Sequence, residues 1–258
     1  EGFAVIASFP ELANKPIVLG ESDPEGCAAC QGPEFSYRNG TVYSSYTAAS
    51  FARKLDLADR HGVNLEGALS WSFTFEDQPY FAGFRQLASN GLPLPVFNIM
   101  RMFAKMGSVR LATESTAAVS LEEIMQAGVR VRPDVSALAS YDAVANKFSV
   151  LVWHYHDDDL PGPEATVTLS LTGLPTALGT HAQLRHYRVD QDHSNAYSEW
   201  LRMGSPIAPN REQYAQLQQA AELVQITGYP HTQNILRGKV ELTFSLPRQG
   251  VSLLVLTP

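Results

Sequence analysis

The stretch "IVLGESDPEGCAAC", residues 17 to 30, carries five groups able to do chemistry: Glu21, Asp23, Glu25, Cys27 and Cys30. Glu21 comes directly after a short β-branched apolar run that stops at Gly20. In βα architectures catalytic groups sit at the C-terminal ends of strands. A carboxylate there acts as nucleophile, general base or metal ligand; the plainer alternative is an acidic loop residue that caps the next element. Cys27 and Cys30 have redox or half-zinc-site spacing, but a single Cys-x-x-Cys without a second pair specifies neither. Gln-Gly-Pro follows, and Pro33 disfavours the immediate helix whose dipole would activate a thiol. Loop packing or a loop disulfide is the expectation, and an exposed reactive thiol the alternative.

A second set lies at Trp71, Phe73, Phe75, Glu76 and Asp77. Sugars present apolar faces edged with hydroxyls, so aromatic rings beside carboxylate acceptors suit them. Taken alone, the same aromatics would fill a core. Two strand ends that both carry acids and aromatics point instead to a sugar site. The third set is "WHYHDDD", residues 153 to 159, which puts His154 and His156 on one face of a strand ahead of Asp157, Asp158 and Asp159. It reads either as a metal site or as a strand running into an acidic turn, and the second reading is preferred. His61 reads as a favourable charge at a helix C-terminus. There is no Gly-x-Ser-x-Gly elbow, phosphate-cradling glycine loop or His-Glu-x-x-His.

The elements that must position these groups follow from pattern. The chain has 258 residues, is 45% hydrophobic and 17% charged, and carries a net charge of -7. That composition supports a packed core, and without a dense Lys/Arg run nucleic acid is excluded as a partner. No apolar run reaches the roughly 18 residues that a transmembrane helix needs. Residues 17 to 107 spell strand, loop, helix, strand, loop, helix. The first strand covers Ile17 to Gly20. Thr41 is the expected N-cap and Gly62 the stop of the first helix. "VNLEGALSWSFTF" reads as the second strand, and "VFNIMRMFAKMG" as a helix that stops at Gly107. This alternation argues for parallel βα units. Beyond Gly107, "KFSVLVWHYH", "ATVTLSLTG", "HAQLRHYRVD", "KVELTFSL" and "GVSLLVLTP" read as strands of an antiparallel sandwich. Helices are expected over residues 211 to 225 and near Ala196 to Met203. The domain boundary falls near Gly107, giving units 1–107 and 108–258.

"IVLGESDPEGCAAC", "YRNGTVYSSYTAASFARK", "GALSWSFTFEDQPYFAGFR" and "LPVFNIMRMFAKMG" together closely resemble the β-xylosidases of glycoside hydrolase family 39. The resemblance runs continuously over residues 17 to 107. It implies a (β/α)8 TIM barrel followed by an accessory β-sandwich, and a retaining mechanism with two glutamates. The strands read above become barrel strands 7 and 8. Matched residue by residue, Glu21 is the nucleophile, while Trp71 and Glu76, with Phe75 in the aromatic platform, hold the sugar. No cofactor and no metal is implied. The partners implied are xylosides or xylo-oligosaccharides, with related α-L-arabinosides also open.

One departure matters. The family's acid/base glutamate sits in an Asn-Glu-Pro motif at the end of the fourth strand, and this chain contains no Asn-Glu-Pro. A full barrel takes on the order of 200 residues or more, and only two of its eight units are read here. The expectation is therefore the C-terminal portion of such an enzyme, inactive alone and completed by a missing N-terminal barrel segment. The alternatives are a carbohydrate-binding or structural remnant, and a redox or metal protein using Cys27 and Cys30.

Overall fold

A computed structural model describes every residue of the chain except Ser72 and Tyr229. Helix α1 (Gly2–Ala7) precedes strand β1 (Ile17–Leu19), a 3-10 segment (Pro33–Asn39) and the long helix α2 (Thr41–His61). Strand β2 (Leu65–Ala68) follows, then a hairpin of β3 (Ala88–Ser89) and β4 (Leu92–Pro93), and helix α3 (Pro95–Phe103). β1 and β2 run parallel, with Val18 opposite Gly67 and Leu19 opposite Ala68. Helix α2 is the crossover between them, the connection that a parallel pair requires.

The second strand is shorter than its sequence pattern predicts. It stops at Ala68, and Leu69 adds only one bond, from its N–H to Leu19 O at 2.9 Å. Among the described residues β1 is the only strand that β2 pairs with, and that pairing ends at Ala68. Of the remaining expected strand, Ser72 lies outside the described residues, and Trp71 and Phe73–Phe75 take no regular structure.

Other boundaries differ for local reasons. Pro33 does open a helix-like segment, occupying the first turn of the 3-10 stretch, where its missing N–H costs nothing. That segment runs to Asn39 and leaves only Gly40 to turn into α2. Gly40 is thus the N-cap in place of Thr41, whose hydroxyl instead accepts from Gln191. Gly62 ends α2 as expected, in the left-handed conformation at φ 62°. Helix α3 ends at Phe103, before Gly107. Gly107 has a different cause: a Cβ there would lie 2.3 Å from the Tyr141 backbone.

The rest of the chain adds β5 (Val109–Leu111), α4 (Leu121–Ala127), β6 (Asp134–Asp142), β7 (Lys147–Tyr155), β8 (Ala165–Leu171), β9 (His181–Val189), α5 (Ala196–Arg202), α6 (Arg211–Ala221), β10 (Thr232–Asn234), β11 (Val240–Leu246) and β12 (Val251–Thr257). Six of these strands form one antiparallel sheet in the order β10-β9-β12-β7-β6-β5, and β11 pairs with β8 in a second. Helix α6 stops four residues short of expectation because the backbone beyond it bonds to β9: Arg188 N–H reaches Val224 O, and Ile226 N–H reaches His186 O. β6 pairs with β7 along its whole length, yet its serines, alanines and aspartates hide the strand in the sequence.

The larger sheet is covered on both faces. On one face Phe148, Val150, Val152, Leu254 and Leu256 meet Val240, Leu242, Phe244 and Leu246 of β11. On the other, Leu151, Trp153, Val251, Leu253 and Val255 pack on Ala48, Ala49 and Ala52 of α2 and on Ile99 and Met102 of α3. This explains the nearly unbroken apolar runs of β7 and β12, against the clean alternation in β8 and β11. The two segments on either side of Gly107 therefore share a core. A buried polar lock reinforces it: Asp134 accepts from Arg53 of α2 at 2.8 and 3.0 Å, from Trp153 Nε1 at 2.8 Å and from Val119 N–H at 2.7 Å.

His186 sits inside the sheet-to-sheet core, 3% exposed, with Nε2 at 2.9 Å from Ser252 Oγ and its ring edge-on to Phe244. Burial pushes its pKa down to about 3, with Arg188 adding to the effect. The unfolded chain takes up this proton near pH 6.5 and the folded chain resists it, so stability is full above 6.5 and falls as pH drops from 6.5 toward 3. The melting temperature is expected to decline over this window, by an amount equivalent to a few kcal/mol. His186→Gln should flatten that decline in a thermal melt series from pH 7 to 4.

Candidate active site

Glu21 stands two residues past the end of β1, with its side chain 52% exposed. Its Oε2 accepts from Arg85 Nη2 at 2.6 Å. Arg85 itself is 1% exposed and sits among three acids. Its Nε faces Asp23 Oδ2 at 3.5 Å, and its Nη1 donates to Glu25 O and lies 4.0 Å from Glu25 Oε1. Glu21, Asp23 and Glu25 occupy alternate positions of the loop, and all three face this one guanidinium.

Asp23 is the most enclosed of the three, its side chain 2% exposed. Its Oδ1 accepts from Tyr43 OH at 2.7 Å and Ser70 Oγ at 2.6 Å, and its Oδ2 accepts from Trp71 N–H at 3.1 Å. One carboxylate thus joins the loop after β1, the chain after β2 and helix α2. Burial pushes the Tyr43 phenol well above the usual tyrosine range, so it stays a donor. Lys54, also on α2, donates to Ser22 O at 3.3 Å and Ser50 Oγ at 3.2 Å. Burial lowers its pKa to about 8, against the pull of Asp23.

A second buried arginine shapes the loop. Arg38 donates to Cys30 O at 2.9 Å, Cys27 O at 2.9 Å, Gly83 O at 3.0 Å and the Glu25 carboxylate. Cys27 and Cys30 are joined by a disulfide. Gly32 N–H to Ala82 O and Arg85 N–H to Ala28 O, both 3.1 Å, stitch this loop to the one that carries Arg85. Gly83 is needed at the seam, at φ 90° and with Gly32 O and Phe35 within 3.2 Å of a Cβ.

Of the residues read from the sequence, Glu21 and Trp71 are brought together. The Arg85 Cζ lies 5.9 Å from the Trp71 ring centre, and Phe73 lies 4.7 Å from it. The Trp71 Nε1 is buried with no acceptor among the described residues. Phe75 stacks on Phe84 at 4.2 Å, next in sequence to Arg85. Glu76 is exposed, and its carboxylate makes no hydrogen bond or ion pair among the described residues. His154 and His156 are elsewhere: their rings meet Leu246 O and Arg130 O, each at 3.0 Å. Among the described residues no group of three or more His, Cys, Asp or Glu side chains is arranged to hold a metal ion. Among the described residues no helix is long and apolar enough to cross a membrane. Sequence reasoning missed Arg38 and Arg85. The signal was three acids at alternate positions of a loop, which need a cation if they are to be held close together.

Residues 4–237 match the Glycosyl hydrolases family 39. The chain belongs to that family. It is therefore related to glycosidases. It is 29% identical over 261 residues to the α-L-iduronidase of Mus musculus, a match over 93% of this chain and 39% of that protein. A solved bacterial orthologue of human α-L-iduronidase superposes with a TM-score of 0.77 at 17% identity, covering 99% of this chain and 44% of its own. A monomeric β-xylosidase from Caulobacter crescentus CB15 gives 0.64 at 18% identity, covering 97% and 46%. The family 39 chain spans less than half the length of each of these relatives. At such identities the structural likeness establishes the fold. The names divide between two sugars, an iduronide and a xyloside.

Proposed function

We propose that this chain is the C-terminal part of a retaining family 39 glycosidase that releases xylose from β-xylosides, with Glu21 as nucleophile. The observation that carries the reading is the half-exposed Glu21 carboxylate at a strand end, gripped by a buried arginine. Residues 1–107 would supply the last two βα units of a (β/α)8 barrel, and residues 108–258 an accessory sandwich. Val18 and Leu69, each 54% exposed, and Phe73, at 65%, leave an apolar face beside β1 and β2. That face suits the packing of neighbouring barrel units. The acid/base carboxylate comes from such a unit in a longer polypeptide, and the 258-residue chain alone is expected to show no turnover.

In a retaining glycosidase the two carboxyl groups stand about 5–5.5 Å apart. Glu21 attacks the anomeric carbon while the second carboxyl protonates the leaving oxygen. That second group then takes a proton from water, which releases the sugar from Glu21. Arg85 orients the attacking oxygen. The Trp71 ring walls the sugar, Phe75 extends the apolar wall through Phe84, and Glu76 accepts from sugar hydroxyls at the rim.

The choice of sugar turns on C5. A β-D-xyloside and an α-L-iduronide have the same absolute configuration at the anomeric carbon. At C5 xylose has only hydrogens, whereas iduronate carries a carboxylate that calls for a cation. Arg85 faces three acids, and Arg38 is spent on Glu25 and three carbonyls. Lys54 is turned to Ser22 O and Ser50 Oγ, and the rings of Trp71, Phe73 and Phe75 beside the site favour the neutral pentose. The likeness to α-L-iduronidases favours the second reading. The full-length protein is expected to prefer an aryl β-xyloside over the matching α-L-iduronide by about 100-fold in kcat/KM. The reverse ratio would overturn the sugar assignment and leave the role of Glu21 standing.

A further inference from the structure

We propose that Asp23 is a positioning residue for the nucleophile: it holds the Arg85 guanidinium and shares its charge, so that Glu21 is oriented without being neutralised. This rests on Glu21 being the attacking group. Arg85 meets Glu21 through Nη2 at 2.6 Å and faces Asp23 through Nε at 3.5 Å. A guanidinium that served Glu21 alone would draw the carboxylate into a full ion pair and weaken it as a nucleophile. A second, buried carboxylate on the same guanidinium divides that charge.

Asp23 is built for this task rather than for filling a loop. Three donors fix it, from Tyr43, Ser70 and the Trp71 backbone, so both its oxygens are committed and neither can swing. Those donors come from the crossover helix and from the chain after β2. The position of Arg85 relative to β1 is thereby referred to the two strands that frame the site. An asparagine at position 23 would satisfy Tyr43 and Ser70 with its oxygen but turn an NH2 toward two donors, Trp71 N–H and Arg85 Nε. The charged and titratable groups facing the cluster are Arg85 and Glu25 from the loops, Arg38 from the 3-10 segment, and Lys54, Tyr43 and Tyr46 from α2.

The test uses the full-length protein and an aryl xyloside whose leaving group is acidic enough to depart without protonation, so that the attack step is read directly. In Asp23→Asn the attack rate is expected to fall about 10- to 100-fold. The acidic limb of the pH–rate profile should move down by about one unit, because Arg85 then divides its charge only between Glu21 and Glu25, which Arg38 also holds. Ser70→Ala removes one donor and keeps the charge, which frees Asp23 to close on Arg85. It should move the limb the other way, and it decides the question if Asp23→Asn does not fold. A wild-type limb and attack rate in whichever variant folds, with only a lowered melting temperature, would overturn the proposal. Absence of any covalent sugar on Glu21 in the wild type would instead overturn the nucleophile assignment beneath it.

Discussion

Glu21→Gly is expected to lower turnover of an aryl β-xyloside by the full-length protein by about ten-thousandfold or more, because loss of the nucleophile removes the covalent route itself. The fold should survive. Glu21 is half exposed, the most exposed of the three acids facing Arg85, and its removal leaves Asp23 and Glu25 still facing that cation. A melting temperature within a few degrees of wild type would therefore accompany the loss. Azide fits the space vacated by the carboxylate and attacks from the same face. Added azide should restore activity and yield a glycosyl azide of inverted configuration. Loss of activity without azide rescue and with a collapsed melt would mean that Glu21 holds structure instead.

The second large effect belongs to Arg85. Arg85→Met keeps the unbranched apolar stem out to about the Nε position but removes the charged guanidinium. It would leave Asp23 buried with no cation on its Oδ2 side and Glu25 O without its Nη1 donor. Breaking a buried pair from one side costs about 3–5 kcal/mol, to be read as a loss of stability in chemical denaturation. Turnover should fall as well, by about 100-fold or more, because Glu21 loses the donor that aims it. Arg85→Lys separates the two effects. It retains a charge for Asp23 and so recovers part of the stability, yet a single ammonium cannot span Glu21, Asp23 and Glu25 at once. Activity should stay low. Equal recovery of stability and activity in the lysine variant would contradict a geometric role for the guanidinium fork.

Much of the fold was legible because hydrophobic period and turn chemistry agreed. β8 and β11 alternate cleanly, since one face meets the core and the other meets solvent. α2 ends where Gly62 takes a left-handed conformation. The misreadings share a cause: contacts distant in sequence. β2 looked long because its aromatics continue past Ala68, but strand length is set by a neighbour, and pairing with β1 runs out there. Gly107 looked like a helix stop but is fixed by the Tyr141 backbone, 34 residues on. β6 was invisible because its partner β7, not its own composition, holds it in place.

The candidate site divides the same way. Glu21 and Trp71 could be read from type and position, as residues at and just beyond strand ends. Arg85 and Arg38 could not, because a buried arginine has no periodic signature and its meaning lies in what it meets. The loop acids then sorted themselves by burial. Asp23 became the fixed centre, Glu25 the shared partner of both arginines, and Glu21 the carboxylate left open to the site. Cys27 and Cys30 close the loop whose carbonyls Arg38 holds.

The most direct measurement is to trap the covalent intermediate. A 2-deoxy-2-fluoro β-xyloside with an activated leaving group slows both steps but lets the first outrun the second, so the sugar stays on the attacking carboxylate. Digestion and mass spectrometry of the full-length protein should place one sugar on the peptide that contains "LGESDPEG", with fragmentation assigning it to Glu21. A label on any other carboxylate, or quantitative release of the leaving group with no covalent sugar on Glu21, would contradict the account.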